Sequence, residues 1–208
     1  MTKALFFDID GTLVSFKTHS IPASTIEALE KAHAKGVKIF ISTGRPTLFI
    51  NNLQAIEHLI DGYMTANGGY CYIGDRSVSL HPIAKDDVLE HEDILQITPF
   101  FTVEQEAEVM PHLHSVTSAR WYPDFTDITA SKADKGQGLL SMAAAENIAI
   151  ADTMAFGDGG NDIAILRQAG IGVAMGNAND DVKAVANYVT SSVDDDGIAN
   201  ALKHFGVI

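Results

Sequence analysis

Ala4-Leu5-Phe6-Phe7-Asp8-Ile9-Asp10-Gly11 opens apolar, carries both of its carboxylates towards its C-terminal end and stops at a glycine. That order predicts a short strand buried on both faces, as in a parallel sheet, with its polar groups where the chain leaves the sheet. The next segments repeat the theme. Pro22 to Lys35 sets Ile26, Leu29, Ala32 and His33 at helical spacing and stops at Gly36. Val37-Lys38-Ile39-Phe40-Ile41 is a second β-rich run, ending in Ser42-Thr43-Gly44-Arg45. Pro46 suits the first turn of another helix, expected to run to about Glu57. Tyr63 to Ile73, with Asn67-Gly68-Gly69 in its middle, reads as a hairpin, and Ser77 to Leu80 as a further strand.

From about Pro82 the pattern changes. Asp86-Asp87 and Glu90-His91-Glu92-Asp93 are charged, Thr102 to Leu113 is partly helical, and Ile94 to Phe101 and Ser115 to Thr129 read as strands of a separate sheet. Helix and strand then alternate again. Lys135 to Asn147 is a helix, and Thr153 to Phe156 is a strand running into Gly157-Asp158-Gly159-Gly160. Asn161-Asp162 opens the next helix; Gly172 to Met175, Asp180 to Ala186, Tyr188 to Thr190 and Gly197 to His204 complete strand, helix, strand and helix. The expected class is α/β: a Rossmann-like, mostly parallel sheet with helices on both faces, formed by residues 1–82 and 130–208. Residues 83–129 are expected to be a small inserted α+β unit. In such sheets functional groups gather at the carboxyl ends of the strands.

Composition narrows the function classes. The chain has 208 residues, 46% hydrophobic and 20% charged, which excludes wholesale disorder and fibrous repeats. Its formal net charge of -13 argues against nucleic acid as a partner. A single cysteine, Cys71, excludes an intrachain disulfide and a Cys-based zinc site. No apolar run approaches the roughly 20 residues of a membrane span, and Met1-Thr2-Lys3 lacks a signal-peptide layout. The expected location is the cytoplasm, away from membranes; nothing in the composition sets an oligomeric state.

Three strand ends carry the chemistry: Asp8 and Asp10, then Thr43-Gly44-Arg45, then Asp158 to Asp162. Residues two apart on a strand share a face, so Asp8 and Asp10 are neighbours if the strand continues through both. Two close carboxylates repel unless a cation or a shared proton relieves them. Adding Asp158 makes an all-oxygen set, suited to Mg²⁺ rather than to a softer metal. Such a site suits phosphoryl transfer to an aspartate nucleophile, and the sequence has no G-x-S-x-G, Walker A or H-E-x-x-H signature to suggest otherwise. Lys135, at a predicted helix start, can bring an ammonium to the transferring group, and Thr43 a hydroxyl.

Asp8-x-Asp10-Gly11-Thr12-Leu13, Ser42-Thr43-Gly44-Arg45, Lys135-Gly136 and Gly157-Asp158-Gly159-x-Asn161-Asp162 resemble, in order, the four motifs of the haloacid dehalogenase superfamily. The pattern is most similar to its Cof-type sugar-phosphate phosphatases, whose α/β cap is inserted between the second and third motifs. The resemblance implies a Mg²⁺-dependent phosphatase for small phosphorylated metabolites, with sugar phosphates as substrates. It makes Asp8 the nucleophile that forms an aspartyl-phosphate and Asp10 the general acid and base. It implies that Thr43, Gly44, Arg45, Lys135 and Asn161 bind phosphate or substrate. Asp158 would hold Mg²⁺ with the Asp8 carboxylate and the Asp10 backbone carbonyl, and Asp162 would support them. The insertion is about half the usual cap length, either a natural reduction or a segment absent near residues 86–93.

The remaining polar clusters read as structural. His112-x-His114 has no metal spacing, Asp194-Asp195-Asp196 is a solvated helix start, and Trp121 and Tyr122 are expected to fill the core of the insertion. Arg120-Trp121-Tyr122 could alternatively face the substrate. A phosphomutase, a slowly turning-over phospho-accepting signalling module and a phosphometabolite-binding protein are the competing functions.

Overall fold

The computed structural model describes residues 1–84 and 93–208. Its strands and α-helices, in chain order, are β1 (Ala4–Phe7), α1 (Ala23–Ala34), β2 (Lys38–Ser42), β3 (Gly62–Thr65), β4 (Tyr70–Ile73), β5 (Arg76–Leu80), β6 (Gln96–Ile97), α2 (Val103–Val109), β7 (Val116–Tyr122) and β8 (Phe125–Ala130). They continue with α3 (Lys135–Ala145), β9 (Thr153–Gly157), α4 (Ile163–Gln168), β10 (Ile171–Ala174), α5 (Asp180–Val185), β11 (Tyr188–Val189) and α6 (Gly197–His204). The larger sheet has the order β11-β10-β9-β1-β2-β3-β4-β5. Neighbours from β11 to β3 are parallel, and β4 and β5 add an antiparallel edge. This is the expected mostly parallel α/β sheet.

Strand β1 lies inside that sheet because its side chains are apolar on both faces. Leu5 and Phe7 join Ile39, Ile41, Leu29 and Leu202 in one buried cluster, towards α1 and α6. Ala4 and Phe6 join Phe40, Met64, Leu139 and Leu166 in the other, towards α3 and α4. Aromatic stacking between Phe6 and Phe40 (4.9 Å between ring centres) and between Phe7 and Phe156 (4.8 Å) ties β1 to its two neighbours. Glycine permits one close approach: a Cβ on Gly62 would come within 2.7 Å of the Tyr72 carbonyl, so β3 and β4 could not pair there with a larger residue.

The inserted residues form their own three-stranded antiparallel sheet, β6-β8-β7, with α2. Thr102 starts α2 with a reciprocal capping box: its hydroxyl accepts from the Gln105 N–H while the Gln105 side chain accepts from the Thr102 N–H.

Three expectations need correction. The helix expected from Pro46 to about Glu57 does not form. Single 3-10 turns stand at Thr47–Phe49 and Glu57–Leu59, and between them Asn52 takes φ 64, a left-handed conformation that interrupts a right-handed helix. Leu53, Ile56 and Leu59 still turn inward, while Leu48 and Phe49 stay exposed. The strand expected over Ile94 to Phe101 is confined to Gln96–Ile97, because Pro99 has no N–H to continue the ladder. Asp194 is also more than a solvated charge: it accepts from the Ser15 hydroxyl at 2.5 Å and pairs with Lys17 at 2.8 Å. The charged run Asp86-Asp87 and Glu90-His91-Glu92, including the question of a break near 86–93, lies outside the described residues, as do the side chains of Trp121 and Tyr122.

Candidate active site

Strand β1 ends at Phe7, and the two aspartates after it diverge. The Asp8 N–H still donates to the Phe156 carbonyl at 3.2 Å, which anchors Asp8 to β9. Its Oδ1 accepts from Lys135 Nζ at 2.7 Å. Asp10 is instead gripped by Arg45, whose Nε donates to Oδ2 at 2.8 Å and Nη2 to Oδ1 at 2.5 Å. Arg45, which the resemblance makes a phosphate or substrate ligand, is thus paired in the structure with the Asp10 carboxylate. The strand ends before both aspartates, so strand alternation does not set how they stand to each other, and their carboxylates take different partners.

Lys135, the first residue of α3, is fully buried. Its Nζ donates to Asp8 Oδ1 and, at 2.6 Å, to Asp162 Oδ1. Burial works against the ammonium, but the Asp162 and Asp8 charges overcome it and hold the lysine above its ordinary pKa. Asp162 is occupied on its other oxygen too: Oδ2 accepts the N–H groups of Asp158 and Gly159, each at 3.0 Å. Its carboxylate thus shapes the turn after β9 and orients Lys135 together.

Asp8, Asp158 and Asp162 each bring a carboxylate oxygen to within 4.8 Å of the others. Burial, opposed by Lys135, pushes the Asp8 carboxyl well above its ordinary value. Burial and the Asp162 charge push Asp158 up to about 7, despite the hydrogen bond from Thr12. This is the signature of crowded like charges in a set made only of oxygens, and a hard divalent cation fits it. The Asp10 carboxylate stands outside this triad.

Thr43 is buried at the end of β2, and its Oγ1 accepts from the Arg45 N–H at 3.1 Å. Gly44 lies where a Cβ would meet Asn67 Oδ1 at 3.2 Å, and Asn161 Nδ2 donates to that same oxygen at 2.9 Å. Gly11 has φ +81, and a Cβ there would sit 2.2 Å from Asp158 Oδ2. Asp8, Asp10, Thr43, Gly44, Arg45, Asp158, Asn161 and Asp162 line a cavity of about 900 Å³ between the large sheet and the insertion, which adds residues of β6, β7 and β8 to its wall.

Several participants were not singled out from the sequence. Thr12 lies in the first motif but received no role; its hydroxyl donates to Asp158 Oδ1 at 3.0 Å. Asn177 donates to the Gly11 carbonyl at 2.9 Å and to Asp158 Oδ2 at 3.2 Å, and accepts the Val193 N–H at 3.0 Å. It follows β10, so applying the strand-end rule to every strand would have found it. Asn67 was read only as a hairpin residue. Among residues of the insertion, Arg120 does reach the cavity, but through a hydrogen-bonded pair with Glu106 and bonds to the Phe101 and Pro123 carbonyls.

Comparison with known proteins agrees with the geometry. The family model of haloacid dehalogenase-like hydrolases matches residues 5–103 and 86–202, two segments that overlap within the insertion. The structure of a HAD subclass IIB sugar phosphatase superposes with a TM-score of 0.94 at 45% identity, covering 100% of each chain. That of a HAD phosphatase from Bacteroides thetaiotaomicron gives 0.94 at 34% identity, covering 100% of this chain and 96% of that one. The 5-amino-6-(5-phospho-D-ribitylamino)uracil phosphatase YcsE of Bacillus subtilis (strain 168) is 28% identical over 246 aligned positions, covering 98% of this chain and 95% of its own. Those positions outnumber the 208 residues present here, so this relative has segments without a counterpart in the chain. With its motifs gathered at the strand ends of this sheet, the chain belongs to the haloacid dehalogenase-like hydrolases and is a phosphatase of that family.

Proposed function

We propose that this phosphatase is Mg²⁺-dependent, acts on small phosphorylated metabolites, sugar phosphates foremost, and works through an aspartyl-phosphate. The observation that carries the reading is the placement of Asp8: it directly follows β1, within 4.8 Å of Asp158 and Asp162 oxygens and 2.7 Å from the Lys135 ammonium. Residues 1–82 and 130–208 act as the catalytic core and 83–129 as its cap.

In this reading an Asp8 oxygen attacks phosphorus in line, and the bond to the leaving oxygen breaks. Asp10 gives that oxygen its proton, then takes one from the water that attacks the acyl-phosphate, releasing inorganic phosphate and restoring Asp8. Arg45 is a positioning residue: its two donors fix the Asp10 carboxylate, and one must let go for Asp10 to turn towards the leaving oxygen. Thr43, Gly44 and Asn161 border the space for the phosphoryl oxygens, and Lys135 keeps the Asp8 side chain aimed from below. Asp8 and Asp158 would hold Mg²⁺ with the Asp10 backbone carbonyl, supported by Asp162. When bound, the cation neutralises charge on the phosphoryl oxygens and relieves the repulsion among the carboxylates.

Phosphate release from sugar phosphates and a generic aryl phosphate, with Mg²⁺ or with EDTA, tests the proposal. Activity is expected only with the metal and is expected to vanish in Asp8→Asn. Metal-independent turnover, or full activity in Asp8→Asn, would refute it.

A further inference from the structure

The turn between β3 and β4 is left-handed over three residues in a row: Ala66, Asn67 and Gly68 take φ 48, 53 and 88. Glycine and asparagine tolerate that region, but an alanine there is strained, and such strain persists only where the surroundings hold it. Three of the four motifs do the holding. The Ala66 and Asn67 N–H groups donate to the carbonyls of Arg45 (3.1 Å) and Thr43 (3.0 Å), in the second motif. Gly68 lies so close to the residue before Lys135 that a Cβ on it would stand 2.5 Å from the Asp134 carbonyl oxygen. From the fourth motif, Asn161 Nδ2 donates to Asn67 Oδ1 at 2.9 Å.

Asn67 is only 6% exposed, and the bond from Asn161 is the one hydrogen bond of its side chain among the described residues. That bond uses the oxygen. Nδ2 therefore brings two hydrogens with no acceptor among those residues, and donation from Asn161 to the oxygen polarises the amide and strengthens its donors. The absence of a side chain at Gly44 leaves the amide uncovered: a Cβ there would crowd Oδ1 at 3.2 Å and Nδ2 at 3.4 Å. Gly44 and Asn161 both line the large cavity, together with Thr43 and Asp8. The cationic donors of the site are engaged, Arg45 on Asp10 and Lys135 on Asp8 and Asp162. Phosphoryl oxygens entering this space need neutral donors as well, and an uncommitted buried amide is one.

We propose that Asn67 is a substrate-binding residue, whose Nδ2 donates through the gap at Gly44 to an oxygen of the transferred phosphoryl group. This role rests on the phosphatase reading above and adds to it a contact from outside the four motifs. The left-handed turn is the device that delivers the amide: it keeps the Asn67 N–H on Thr43 while the side chain meets Asn161. Asn161 and the phosphoryl group draw on opposite ends of one amide, Oδ1 and Nδ2, so binding need not break the existing bond.

Titration with inorganic phosphate in Mg²⁺, followed by amide NMR, tests the contact apart from turnover. The Asn67 side-chain amide signals of the wild type should shift and saturate with phosphate concentration. Asn67→Gly, which keeps the left-handed turn and loses the amide, should weaken phosphate binding by about tenfold. The loss should persist, at several-fold or more, when Asn67→Gly is made in an Asn161→Ala background. A loss that vanishes there would overturn the role, because Asn67 would then act only by orienting Asn161, and so would unaltered affinity in a folded Asn67→Gly. Unmoved Asn67 amide signals at saturating phosphate would overturn it even if the variants failed to fold, as would a wild type that takes up no phosphate. Hydrolysis of p-nitrophenyl phosphate, measured alongside, separates the two readings: phosphate binding through Asn67 without hydrolysis would overturn the phosphatase reading and leave the contact standing.

Discussion

Arg45 and Asp10 form a two-point pair, Nε to Oδ2 at 2.8 Å and Nη2 to Oδ1 at 2.5 Å, in which a residue from the end of β2 sets the orientation of a carboxylate from the turn after β1. A forked guanidinium can do this and a lysine, with a single point of charge, cannot. Arg45→Lys should therefore lower kcat on alkyl phosphates by about tenfold to a hundredfold. The loss should be smaller on p-nitrophenyl phosphate, whose leaving group needs little help from an acid. Equal losses on both would mean that Arg45 acts on substrate binding and not through Asp10.

Lys135 holds Asp8 and Asp162 together with no exposure to water. Replacing it by Met fills the space but leaves two buried carboxylates without their cation, a change that typically costs about 3–5 kcal/mol. Denaturant unfolding of Lys135→Met in EDTA should show a loss of that order, and added Mg²⁺ should recover part of it. Unaltered stability would show that the pair is relieved by something other than this lysine.

Asp158 would make the proposed metal site pH-sensitive. Its carboxyl is pushed up to about 7, chiefly by burial and by Asp162, against an ordinary value of 3.8. A proton held more tightly in the folded than in the unfolded chain stabilises the fold at low pH, and that contribution is lost as the pH rises through about 7. In EDTA, Asp158→Asn should thus be more stable than the wild type above pH ~7, with the difference closing towards pH ~4. Because cation and proton compete for the same oxygen, Mg²⁺ affinity of the wild type should rise across that range. Calorimetric melts and metal titrations at matched ionic strength measure both, and a pH-independent metal affinity would contradict the assignment.

Thr12 and Gly11 tune the same carboxylate from its other side. Thr12→Val removes the 3.0 Å donor to Asp158 Oδ1 and should weaken metal binding by about tenfold with little change in fold. Gly11→Ala is harsher: the left-handed φ of +81 and a Cβ placed 2.2 Å from Asp158 Oδ2 force the turn or the carboxylate to move. Activity should fall much further than in Thr12→Val at any metal concentration, which steady-state kinetics against Mg²⁺ would resolve.

The fold was legible wherever one physical signal dominated. An apolar run such as Leu5 to Phe7 can be satisfied only inside a sheet, and polar residues just after it mark where the sheet ends. Pro46 gave a local start signal for a helix, but Asn52 and the inward turns of Leu53, Ile56 and Leu59 follow tertiary packing, which no local pattern expresses. The first motif gave the identities of Asp8 and Asp10 but not their divergence, because alternation within a strand says nothing about the turn beyond Phe7. The strand-end rule points to the position of Asn177 after β10, but its partner Asp158 lies 19 residues away, and a single sequence carries no sign of that pairing.

The insertion departs after β5, an antiparallel edge strand of the large sheet, and returns before α3, which begins at Lys135. None of its strands pairs with the large sheet among the described residues. Lengthening, shortening or replacing it would leave the strand order, and the placement of Asp8 beside β9, unaltered. The architecture separates two evolutionary variables: the placement of the aspartates is fixed by the interior of the large sheet, while a unit hung from its rim is free to change in length and sequence.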